Sequence, residues 1–171
     1  MTIISGSKFI KPTSMKVEYK ITELDHENLV DFLSTATYGD NTFDIFTPEE
    51  FQKLREQGEG DCWEDKLANV LLAGGKLDIV DRGDDEIMPD EVATFQPLYP
   101  KHFHHLEKYT DGFENSVYYP VYRIGLEDII EAAQTDDGYR YAKELWIDEM
   151  GDFYTAWNLL QLVIFGEVVY G

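Results

Sequence analysis

Between residues 15 and 22 apolar and polar positions alternate strictly. Met15, Val17, Tyr19 and Ile21 fall on one side, Lys16, Glu18, Lys20 and Thr22 on the other, a period of two that predicts a half-buried strand. The period then lengthens. Leu29, Val30, Leu33 and Ala36 recur at helical spacing, and Thr22 with Asp25 three residues on predicts the capping box that opens this helix. Tyr38-Gly39-Asp40-Asn41 predicts its end. Phe43–Phe46 suits a short strand or a packed loop. Thr47-Pro48-Glu49-Glu50 supplies a hydroxyl cap, a first-position proline and first-turn acids for a short helix ending by Gly58. Asp61 with Glu64 predicts the next cap, for a helix whose apolar side holds Trp63, Leu67, Val70, Leu71 and Gly74. Gly74-Gly75 suits the left-handed turn that stops it, and Lys76–Asp81 reads as a strand with Leu77 and Ile79 inward.

Residues 82–90 form an acidic turn region, and residues 91–115, with Pro97 and Pro100, show no clear period. Residues 116–124 read as a strand with Val117, Tyr119, Val121 and Arg123 on one face, where Pro120 favours an edge position. Gly125 introduces a helix striped by Leu126, Ile129, Ile130 and Ala133. Thr135-Asp136-Asp137 caps another, with Tyr139, Ala142, Trp146 and Met150 at helical spacing. Gly151-Asp152 breaks and recaps the chain. Phe153–Phe165 is then apolar on a wide arc through Ala156, Trp157, Leu159, Leu160, Val163 and Ile164, which predicts a helix central to the core. Gly166 ends it, and Val168-Val169 suggests a short terminal strand. The pattern predicts a single α+β domain over residues 15–171, with a small, mostly antiparallel sheet of about three to five strands and about five to six helices. Residues 1–14, with Gly6 and Pro12, read as a mobile basic arm.

Composition supports a folded chain: of 171 residues, 43% are hydrophobic and 14% aromatic, too much for disorder. The longest apolar runs, such as residues 162–165, fall far short of the roughly 18 residues that span a bilayer. The first residues lack the sustained apolar block of a secretory signal. A lone cysteine, Cys62, excludes an internal disulfide and fits a reducing compartment. A cytoplasmic protein with no membrane partner is expected. Charge narrows the partners further. The formal net charge is −20, from 34 acids and 14 bases, and the first twenty residues hold Lys8, Lys11, Lys16 and Lys20 against Glu18 alone. Direct nucleic-acid binding, which depends on Lys and Arg neutralising phosphates, is disfavoured.

Two stretches, CWEDKLANVLLAGGKLDIVD (residues 62–81) and GYRYAKELW followed by GDFYTAWNLLQLVIFGEVVYG (residues 138–171), together with GLEDIIEAAQTDDGYRYAKE, resemble an uncharacterised family of small acidic proteins. That family is associated with mobile or conjugative elements of gut Bacteroidetes. The resemblance implies no reaction, cofactor or site residue. It implies an accessory role on a mobile element, where acidic proteins can act against host defence systems.

Three constellations bear on chemistry. Asp84, Asp85, Glu86, Asp90, Glu91, Glu127 and Asp128, with Asp136-Asp137, are dense enough to imitate a phosphate backbone and occupy the basic groove of a DNA-binding protein. The plainer account is a solvated surface, and many of these acids sit where helix first turns already explain them. Cys62-Trp63 at a helix start, with His102 and His104 downstream, is distantly similar to the nucleophile and base of papain-like hydrolases. Against it, Asp61, Glu64 and Asp65 would raise the thiol pKa, and a lone cysteine there is usually packed. On a strand, His102 and His104 would share a face as metal donors, beside His105 and Glu107, yet no third or fourth ligand recurs at a fixed spacing. No metal or other cofactor is therefore assigned. Phosphate loops and Ser-His-Asp signatures are absent, and Tyr118, Tyr119, Tyr122, Tyr139, Tyr141 and Tyr154 are an unusual density of tyrosine. The expectation is a non-enzymatic acidic interaction protein that binds a basic protein partner, in a DNA-mimic form that inhibits a host DNA-binding or defence protein. The alternative is a cysteine-dependent hydrolase using Cys62 and a downstream histidine.

Overall fold

The computed structural model describes residues 21–38, 41–83 and 86–171. Most of the strand predicted at 15–22, and the whole basic arm, lie outside the described residues. In chain order the elements are α1 (His26–Thr37), β1 (Phe43–Phe46), a 3-10 segment (Glu49–Glu56), α2 (Trp63–Leu72), β2 (Lys76–Asp81) and a second 3-10 segment (Pro89–Thr94). Then come β3 (Phe103–Thr110), β4 (Ser116–Gly125), α3 (Leu126–Ala133), α4 (Asp136–Ala142) running into a π turn (Lys143–Ile147), and α5 (Phe153–Phe165). The strands form one antiparallel sheet in the order β1-β2-β4-β3. The fold is α+β, as the grouping of helices and strands predicts.

The sheet has two unlike faces. Leu77 and Ile79 of β2, with Tyr122 and Ile124 of β4, point into the main core against α1, α2 and α5. The alternate residues Val80, Tyr119 and Val121 turn the other way into a small second cluster covered by Tyr109 and Val117. The face predicted for β4 through Val117, Tyr119, Val121 and Arg123 is thus this outer one, while its neighbours carry the main core. On that side the Arg123 guanidinium is held by both oxygens of Asp78, at 2.7 and 3.1 Å. Pro120 is not at an edge: β4 is an interior strand, between β2 and β3. Its missing N–H costs no ladder bond, because β2 pairing stops at Val80–Val121 and resumes only at the Ile87–Tyr118 bridge.

Helix α5 runs from its predicted start to its predicted end. Asp152 accepts the Thr155 N–H at 3.0 Å, and Gly166 closes the helix at φ 83°. Ala156, Leu159, Leu160 and Ile164 are fully buried, each large side chain worth about 1.5–3 kcal/mol of burial. The tail beyond it is not the predicted strand at Val168-Val169. It is fastened from the core instead: the buried Gln161 amide accepts the Val169 and Tyr170 N–H groups at 2.8 and 2.6 Å and donates to the Tyr170 carbonyl at 3.2 Å.

Several caps and stripes differ from expectation. Helix α1 is capped by Asp25 and Asn28, one turn later than Thr22 with Asp25, and Phe32 joins Leu29, Leu33 and Ala36 in the core while Val30 is only partly buried. The segment after Thr47 is 3-10, with Pro48 in the cap position, so the Thr47 hydroxyl is one residue too early to cap it and is buried without a partner among the described residues. After Ala142 the π turn shifts the helical spacing, so Leu145 is buried and Met150 is 77% exposed. Residues 91–115 contain β3, hidden in the sequence because both its faces are partly solvated.

Candidate functional site

The most chemically varied surface lies at the head of α2. Gly60, at φ 87°, turns the chain sharply into the helix, and any Cβ there would collide with the Asp65 carboxyl group. That turn moves the predicted cap by one residue, from Asp61 and Glu64 to Cys62 and Asp65. Asp65 reaches back to accept the Cys62 N–H at 3.2 Å, and its Oδ2 also accepts the Cys62 thiol at 2.9 Å. The other oxygen, Oδ1, lies 2.8 Å from His26 Nε2 at the start of α1.

Cysteine, carboxylate and histidine are therefore joined, but in an order opposite to that of a nucleophile-base pair. The thiol donates to the carboxylate, and this bond pushes the Cys62 pKa up. The same bond, followed by the one to His26, holds the Asp65 carboxyl down to about 2. A thiol kept protonated by its neighbour is a poor nucleophile at neutral pH. The histidine that joins the network is His26, which the sequence alone did not single out. A helix-start histidine 39 residues from its partner leaves no local signal.

Two clefts flank this point. One, of about 490 Å³, is lined by His26, Gly58, Glu59 and Asn69 among others. The second, of about 350 Å³, lies between the end of α1, strand β1 and the α2 residues Trp63, Glu64 and Leu67. Trp63, expected on the apolar side of the helix, is instead 44% exposed. The Arg55 guanidinium lies 5.6 Å from the Trp63 ring centroid, a cation–π contact within the chain. Glu59 and Asp61, just before it in the chain, are exposed.

The other predicted residues are scattered. His102 has a side chain only 12% exposed and sits 3.8 Å from Asp128 at the start of α3; burial lowers its pKa although Asp128 pulls the other way. His104 instead faces His105, Nδ1 to Nδ1 at 2.8 Å, and His105 reaches Glu107 at 3.1 Å. A register shift in β3 between Phe103 and His105 breaks the simple alternation that would align His102 with His104. Among the described residues no group of three or more His, Cys, Asp or Glu is placed to hold a metal.

Of the acids expected to form a phosphate-like face, Asp84 and Asp85 lie outside the described residues. Glu86 accepts the Tyr119 hydroxyl at 3.2 Å, Glu91 accepts the Met88 N–H at 2.9 Å, and Asp90 is exposed. Glu127 pairs with Lys76 at 2.8 Å, and Asp128 accepts the Gly125 N–H at 2.7 Å. Glu127 and Asp128 stand at the Lys76 end of β2, whereas Glu86, Asp90 and Glu91 follow its Asp81 end, about 17 Å along the strand. No helix among the described residues is long and apolar enough to cross a membrane. Comparisons with protein-family models, curated proteins and solved structures yield no match to this chain. Geometry alone carries the functional reading.

Proposed function

We propose that this is a non-enzymatic interaction protein that binds a basic protein partner at the head of α2. One observation carries the reading: Trp63, 44% exposed, lines a cleft of about 350 Å³ together with Glu64, and the exposed acids Glu59 and Asp61 come just before it in the chain. A half-exposed indole at an acidic helix start offers an aromatic anchoring surface to a basic partner. The net charge of −20 steers a basic partner toward it. Most Lys and Arg of the described residues are already engaged within the chain, as in Lys66–Glu56, Lys76–Glu127, Arg82–Asp44 and Arg123–Asp78. The excess negative field is thus left for a partner. The form to test first is inhibition of a DNA-binding protein, with carboxylates standing in for phosphates.

The test is displacement of labelled DNA from a panel of basic DNA-binding proteins, repeated between about 50 and about 300 mM salt. Displacement that fades with salt and weakens about tenfold or more in Trp63→Ala is expected. No displacement at low salt removes the DNA-mimic form. Salt-sensitive displacement that Trp63→Ala leaves unchanged moves the site away from α2.

A further inference from the structure

The cleft beside Trp63 is bounded on one side by a strand edge. β1 stands at the end of the sheet and pairs with β2 alone. The Arg82 N–H bonds to the Thr42 carbonyl at 2.7 Å, and pairing runs on from Phe43–Asp81 to Phe46–Asp78. In an antiparallel ladder, alternate residues turn their backbone groups toward the partner strand and away from it. Asp44 and Phe46 therefore face β2, whereas Phe43 and Ile45 turn their N–H and C=O groups outward. No backbone bond among the described residues reaches those outward groups from the far side. Phe43 and Ile45 both line the cleft of about 350 Å³, with Leu33 of α1 and Trp63, Glu64 and Leu67 of α2. Edge strands are commonly blunted by lysine, proline or a bulge. Phe43-Asp44-Ile45-Phe46 has none of these, and its register with β2 is regular.

We propose, building on a basic partner at the head of α2, that β1 takes up an extended segment of that partner as an added strand. Main-chain bonds to Phe43 and Ile45 supply affinity, and alternate side chains of the segment enter the cleft beside Trp63. The remaining side chains stand next to Asp44 and Phe46, and Phe46 is 44% exposed. Cleft volume suits this use, since binding clefts run from roughly 300 Å³ upward. Charge selects the occupant. Glu64 lies on the cleft wall and the chain carries a net −20, so a segment alternating Lys or Arg with apolar residues is drawn in. A second copy of this chain would bring the same negative charge against it and is repelled.

The test titrates the full chain with a capped Lys-Val repeat of about eight residues, a typical strand length. Two controls of equal length are a Glu-Val repeat and a helix-forming Lys-Ala peptide. NMR follows the Trp63 indole and the amides of Phe43, Asp44 and Ile45. With the Lys-Val peptide a saturable shift at Trp63 is expected. Hydrogen exchange should slow about tenfold or more at Phe43 and Ile45 and change little at Asp44, whose N–H already faces β2. Glu64→Lys, on a helix surface, should weaken binding about tenfold or more, and the Glu-Val peptide should give no shift. Binding of Lys-Val without protection at Phe43 and Ile45, or equal binding of the helical peptide, overturns strand addition and leaves the basic partner standing. Exchange at both amides that is already slow in the free chain shows the edge to be occupied and also overturns it. Equal binding of the Glu-Val peptide, or no effect of Glu64→Lys, overturns the choice of a basic occupant. No response at Trp63 to either basic peptide overturns strand addition together with the α2 reading.

Discussion

Two aspartates, Asp81 and Asp65, show how differently this chain treats the same side chain. Asp81 is sealed among aromatic rings at the C-terminal end of β2 and holds the tail through Tyr170. Asp65 sits at the head of α2, where solvent reaches it, and gathers a thiol and an imidazole. The first carboxylate is costly to bury and is supported by a packed, low-dielectric shell. The second is only partly covered, and through its two bonds it sets the chemistry of its neighbours. Structure is concentrated at one end and display at the other.

The sharpest way to break this contrast is Phe165→Ala. That ring touches Phe43, Tyr99, Tyr122 and Tyr170, and its loss should cost about 3–5 kcal/mol in urea unfolding. A change under about 1 kcal/mol would mean that the aromatic end is not packed as described. Next is Gln161→Leu, which keeps the volume but leaves the Val169 and Tyr170 N–H groups without their acceptor. It should cost about 1–3 kcal/mol and speed hydrogen exchange at those two amides first. Global loss of stability without selective exchange there would refute the fastening role.

A smaller effect concerns pH. Burial depresses the His102 pKa from its usual 6.5, so the unfolded chain takes up this proton at a higher pH than the folded one. The contribution of neutral His102 is complete above 6.5 and drains as pH falls below it, down to the folded pKa. Thermal midpoints from about pH 7.5 to about pH 5 should fall further in the natural protein than in His102→Gln. Superimposable profiles would show that burial does not govern this histidine. The smallest change tests the α2 network without altering stability. Cys62 should react slowly with iodoacetamide near pH 8, and Asp65→Asn should speed alkylation roughly severalfold by lowering the raised thiol pKa. A fast reaction in the unaltered protein would revive the hydrolase reading.

Much of this contrast was readable in one of its halves only. Helix α5 lay open in the sequence because its signals are local: an aspartate cap, a wide apolar arc and a glycine in the left-handed region. Strand β2 was equally plain, its inward Leu77 and Ile79 both fully buried. The candidate site was half visible. Cys62 and Trp63 at a helix start could be read from spacing, but the histidine was not His102 or His104, and the cap was not Asp61. Gly60 fixed which carboxylate reached the helix start, and packing of α1 against α2 delivered His26.

By itself the sequence determined the α+β class, most helix positions, the acidic balance and the limits of the main helical core, all of which depend on neighbours within a few turns. Tertiary structure alone decided that Pro120 lies in an interior strand, that Trp63 is half-exposed and that Asp81 is buried and bonded to Tyr170. These are meetings of residues tens of positions apart. No local periodicity encodes them, because the free energy that selects them comes from burial and charge placement across the whole fold.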